Sequence, residues 1–118
     1  MLWHASDVVR ITPLHLPNLK SYEEKHTDGS NHFIYTRFLI PHLMNYEGWA
    51  LFCDCDFLWL ADIKDLIALT DDRYAVMCVH HDHRPPESWK MDHRTQTTYP
   101  RKNWSSMVLY NCGHPANA

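Results

Sequence analysis

Apolar residues in this chain come in short runs separated by helix-like spacing, and that alternation restricts the fold more than any single motif. Residues 8–11, 50–53, 74–79 and 107–110 have strand length, while residues 33–44 carry apolar side chains at helical intervals and residues 62–68 fit a short helix capped by Asp62. Strand-like and helix-like pieces in turn predict an α/β domain. Pro41 falls inside the first helical pattern and is expected to kink or shorten it. Pro13, Pro17, Asn18, Asp28, Gly29 and Ser30 punctuate a long polar connection before it, and Asp71 and Asp72 turn the chain into the run at 74–79. Residues 80–103 show no clear period and read as a polar stretch.

A length of 118 residues allows one domain with a real core, and 45% hydrophobic content with a net charge of −3 excludes the disordered and polybasic classes. Eleven basic residues against fourteen acidic ones give nucleic acid no electrostatic foothold. The apolar runs at 57–61 and 75–79 are far shorter than the ~20 residues that cross a bilayer, so no membrane span is expected. The opening "MLWHASDVVR" lacks a basic flank followed by an apolar core, which points to a cytoplasmic protein. Cys53, Cys55, Cys78 and Cys112 lie in or beside apolar runs and are expected as small buried hydrophobes in a reducing compartment. "VHHDHR", residues 79–84, would suit zinc or nickel, but the Cys-x-x-Cys spacing of structural zinc sites is absent, and the ten histidines read as polar loop residues.

The chemistry concentrates where the strand at 50–53 runs into "DCDFLWLAD". Side chains alternate along a strand, so Asp54 and Asp56 are expected to share one face and Cys53 and Cys55 the other. Two carboxylates this close repel unless a cation lies beside them, and their hard oxygens suit Mg²⁺ or Mn²⁺. Asp-x-Asp also serves as a solvated turn or helix cap, and both readings stay open on the triplet alone. Arg37 adds a second point. On a helical wheel it falls in the stripe of Phe33, Ile40, Pro41 and Met44, where a guanidinium needs an anion or must carry its head to water over an apolar stem.

"FIYTRFLIPHL", "EGWALFCDCDFLWLADIKDL" and "SMVLYNCGHP" resemble, in this order, blocks of nucleotide-sugar glycosyltransferases of the GT-A type, close to glycosyltransferase family 8 and to an uncharacterised bacterial branch of it. The similarity spans residues 33–117. It implies a partial GT-A domain, Rossmann-like, with a mostly parallel central sheet. It also implies metal-dependent transfer of a sugar, with retention, from a nucleotide diphosphate donor such as a UDP-sugar to an acceptor hydroxyl. The resemblance makes Asp56 a ligand of Mn²⁺ or Mg²⁺, and Asp54 a contact to metal or ribose. Arg37 is then a contact to the donor sugar or its diphosphate, while Asn111 and Gly113 line the sugar pocket. It names no catalytic base. Members of that family place a base-binding strand before the block corresponding to residue 8 and a histidine ligand well after Asn-x-Gly, so residues 1–118 are expected to form a single, incomplete domain of this kind. The alternative is a non-catalytic α/β module that binds metal and nucleotide, or an inactive piece of such a transferase.

Overall fold

The computed structural model describes residues 4–23, 25, 34–81, 88–89, 95–96 and 102–118. Its centre is a three-stranded sheet built from β1 (Trp49–Cys53), β2 (Val76–His81) and β5 (Lys102–Asn111), in the order β1-β5-β2. A separate two-stranded ribbon pairs β3 (Ser88–Trp89) with β4 (Thr95–Gln96).

Every pairing in the sheet is antiparallel. The expected mostly parallel, Rossmann-like GT-A arrangement is therefore corrected. β1 and β2 do point the same way, but β5 lies between them and runs against both. The reason is visible in β5 itself: Val108, Leu109 and Tyr110 are consecutive, apolar and buried, so this run needs cover on both faces and takes the central position. Ala50 faces Tyr110 and Phe52 faces Val108 on one side, while Val76 and Cys78 meet the same two residues from the other. One face of the sheet thus carries Val108, Tyr110 and the fully buried Cys112, with Ile40, Ala50 and Phe52 packed against them.

The β2–β5 ladder is broken. Cys78 pairs with Val108 and His80 with Asn103, so two steps along β2 face five along β5. The surplus in β5 bulges out around Ser105 and Ser106, and such bulges release backbone groups that another partner must satisfy.

The expected helix at 33–44 is shorter and tighter: a 3-10 turn over Thr36–Leu39 leads into one α turn, α1 (Ile40–Leu43), with Pro41 in its first turn, where a missing N–H costs nothing. Phe33 lies outside the described residues. Arg37 and Pro41 are buried and Ile40 is half-buried, in line with the stripe, but Met44, its other described member, is 40% exposed, and Phe38 is 63% exposed. The chain leaves α1 through Asn45 and Tyr46, both with positive φ (53° and 58°), and Gly48 at φ 66°. The Tyr46 amide reaches back to the Pro41 carbonyl at 2.8 Å to close the turn.

The second helix forms as expected. α2 spans Ile63–Ile67, and the Asp62 carboxylate accepts from the Lys64 amide. Residues 8–11 join no strand in the structure; Val8 is 96% exposed. β-branched residues favour extended backbone, but a strand needs a partner to supply its ladder and cover its side chains, and none pairs here. Leu58 and Leu60 are likewise exposed, 81% and 78%. No helix among the described residues is long and apolar enough to cross a membrane.

Candidate functional site

β1 ends at Cys53, but its ladder continues one residue further through a 2.8 Å hydrogen bond from the Asp54 amide to the Ser106 carbonyl. Cys55 and Asp56 then turn away from the sheet. Strand alternation therefore governs Asp54 and stops short of Asp56, so the expected shared strand face is corrected: the pair straddles the strand end, with Asp54 half-buried and Asp56 exposed. Cys55 and Cys78 are exposed as well, and among the four cysteines, all of them free, only Cys112 is buried.

Asp54 lies on the same face as Phe52, toward the 3-10 turn that carries Arg37. Arg37 is 7% exposed, and each of its three guanidinium nitrogens donates a hydrogen bond. Nε donates to the Ile34 carbonyl at 2.9 Å, Nη1 to the Ser105 carbonyl at 2.5 Å, and Nη2 to Asp54 Oδ1 at 3.4 Å. Its Cζ lies over the Phe52 ring, 4.9 Å from the ring centre. The anion that an inward-facing arginine requires is thus Asp54, and the carbonyl that the β5 bulge leaves out of the β2 ladder is the one Nη1 satisfies.

Burial pushes the Asp54 carboxyl above its ordinary range; Arg37 pulls it back, and the neighbouring Asp56 charge adds to the rise. The 3.4 Å ion pair is too long and too open, with Asp54 34% exposed, to reverse the rise. The carboxylate therefore sits where a positive charge is still wanted. Burial, then the charge of Asp54, also pushes the Cys53 thiol up, which makes it a poor nucleophile at neutral pH.

Asp54 and Asp56 supply hard oxygen donors to an open edge, which fits Mg²⁺ or Mn²⁺ bound through one or two carboxylates, with water and phosphate oxygens completing the shell. Among the described residues no group of three or more His, Cys, Asp or Glu side chains could hold a metal by itself. The next carboxylate along the chain, Asp62, is already committed to the amides of Lys64 (2.9 Å) and Ser6 (3.0 Å). Residues 82–84 of the histidine-rich stretch lie outside the described residues. So does Arg101, which with Lys102 is a basic pair near the start of β5.

Asn111 and Gly113 are not brought to this edge. Asn111 pairs with Trp49 at the start of β1, whereas Asp54 follows its end. Five residues of strand at about 3.3 Å each put roughly 16 Å between them. There the Cys112 amide donates to the Gly48 carbonyl at 2.8 Å, and a Cβ on Gly113 would meet the Tyr46 carbonyl at 3.4 Å, an ordinary contact. Asn111 donates to the Asp72 carbonyl and Asn117 to the carbonyls of Ala75 and Asn111. Trp49 Nε1 bonds Asp72 Oδ1. These side chains tie the β1, β2 and β5 termini together at the far end of the sheet. Sequence reasoning missed that role for Asn117 and Asp72, whose only signal is their place in turns.

Fold and site together define a small domain built on a three-stranded antiparallel sheet with few, short helices and an arginine-clamped acidic strand end. The chain is similar to "Protein CDI" of Arabidopsis thaliana, 58% identical over 113 residues, a match covering 92% of this chain and 44% of that protein. It thus spans less than half the length of the curated relative. No family model matches the chain, and no solved structure matches it. The resemblance to GT-A glycosyltransferases of family 8 is accordingly corrected. The similar protein carries no transferase name, no family model supports the assignment, and the sheet runs antiparallel where that fold requires parallel neighbours. Short motif blocks in the right order do not carry strand direction, and direction decides whether their residues meet.

Proposed function

We propose that the Asp54–Asp56 edge binds a divalent cation, Mn²⁺ or Mg²⁺, together with the diphosphate of a nucleotide-sugar such as a UDP-sugar, for transfer of the sugar to an acceptor hydroxyl. The observation that carries this reading is the pairing of Asp54 with Arg37 beside a second, open carboxylate. A bound cation supplies neutralisation of the charge that collects on a departing nucleoside diphosphate. Asp54 and Asp56 hold it at the strand end, and the buried Arg37 keeps Asp54 in place without itself needing solvent. Four free cysteines support a cytoplasmic location.

A second reading, a module that binds cation and nucleotide without transfer, is favoured by one observation: Asn111 and Gly113 stand at the other end of β1 and add nothing to the acidic edge. Calorimetric titration with Mn²⁺, with and without a nucleoside diphosphate, tests the shared part of both readings. Nucleotide is expected to bind only with the metal, and Asp56→Asn to remove metal binding while the melting temperature stays within about 2 °C, because Asp56 is exposed. Equal Mn²⁺ affinity in variant and parent removes the cation site. Metal-dependent release of nucleoside diphosphate from a sugar donor then separates transfer chemistry from binding alone.

A further inference from the structure

We infer that Arg37 is a positioning residue for the cation site, holding one oxygen of Asp54 so that the other faces the cation, rather than a group that touches the donor; this rests on the cation-site reading above. Three independent contacts support it. The guanidinium is anchored at Nε to Ile34 and at Nη1 to Ser105, so its plane is set before Nη2 meets Asp54 Oδ1. Phe52, two residues before Asp54 on the same face of β1, lies under the guanidinium carbon, 4.9 Å from ring centre to Cζ, and adds a third point of contact. The Ser105 carbonyl is available because β5 bulges where the β2 register breaks, so the irregularity in the sheet and the fork of the arginine are parts of one device.

Among the described residues the clamp engages only Oδ1 of Asp54, which is a third exposed. A carboxylate ligand held by an outer hydrogen bond is oriented for its metal, and loss of such a partner typically weakens metal binding ~10–100-fold. Lysine at this position keeps the charge but cannot reach three acceptors set in different directions by a planar fork.

The test is Mn²⁺ affinity of the whole chain, read from the electron paramagnetic resonance of free Mn²⁺, with circular dichroism as the check on fold. Arg37→Lys and Asp54→Glu, which both conserve charge, are each expected to weaken Mn²⁺ binding ~10–100-fold. In an Asp54→Asn background, Arg37→Lys is expected to cost no more than about a further twofold, because its effect passes through Asp54. At saturating Mn²⁺ the affinity of Arg37→Lys for a nucleoside diphosphate is expected to stay within about threefold of the parent. The inference is overturned if Arg37→Lys keeps parental Mn²⁺ affinity, or if it loses nucleotide affinity at saturating Mn²⁺. Should Arg37→Lys fail to fold, Asp54→Glu decides: Mn²⁺ affinity equal to the parent's sinks the inference. A parent chain with no saturable Mn²⁺ binding is a different result, because it removes the cation-site reading itself and the inference with it.

Discussion

Replacing Arg37 with methionine keeps an apolar stem of similar length and removes the guanidinium, so its effect on stability isolates the clamp. Two hydrogen bonds from a charged donor to the Ile34 and Ser105 carbonyls are lost, each contributing about 1.5 kcal/mol at the low end for charged partners. The low end is appropriate because Ser105 is exposed and its carbonyl regains water. The contact with Phe52 adds about 0.5 kcal/mol, and the long, partly exposed contact to Asp54 well under 1 kcal/mol. The sum is about 3–4 kcal/mol. For a chain of 118 residues that corresponds to a fall in melting temperature of about 12–16 °C. Scanning calorimetry at pH 7 with a chelator in the buffer measures it free of any metal effect. The deficit should change little between low and high salt, since its main terms are hydrogen bonds in a partly buried place rather than screened surface charge. A fall below about 4 °C, or one that vanishes in salt, would mean that the guanidinium is an ornament of the surface and the clamp is wrong.

Val108→Ala removes two buried carbons between Phe52 and Cys78 and should cost about 2 kcal/mol in urea unfolding, whereas Val8→Ala, at an exposed position, should cost nothing measurable. The Asp71 carboxyl, bonded by the Arg73 side chain and amide, is lowered to about 2. Because the folded value lies below the ordinary one, its stabilisation is present above pH ~4 and is lost as pH falls towards 2; carbon-detected titration should show the value return to the ordinary range in Arg73→Ala. Cys55 and Cys78 should react with a thiol reagent in the native chain. Cys112, fully buried with its thiol pushed up by that burial, should react only on unfolding, and its labelling at the rate of Cys78 would contradict the core.

Local chemistry was legible in the sequence wherever a few neighbouring residues decide the outcome. Asp62 caps α2, Pro41 keeps the first helix to a single turn, and the strand after Gly48 ends at Cys53, because each depends on hydrogen bonds and sterics within one turn of chain. The burial of Arg37 was legible too, from its place in an apolar stripe. Its partner was not, since Ser105 lies 68 residues away and is free only because the sheet register breaks beside it. Strand direction was decided by tertiary structure alone. The hydrophobic pattern of residues 107–110 is the same whether the strand runs with β1 or against it, and burial on both faces, not sequence order, placed β5 at the centre. That single choice sent Asn111 and Gly113 to one end of the sheet and Asp54 to the other. Strand ends that follow the same signal in the sequence coincide in space only when the strands are parallel.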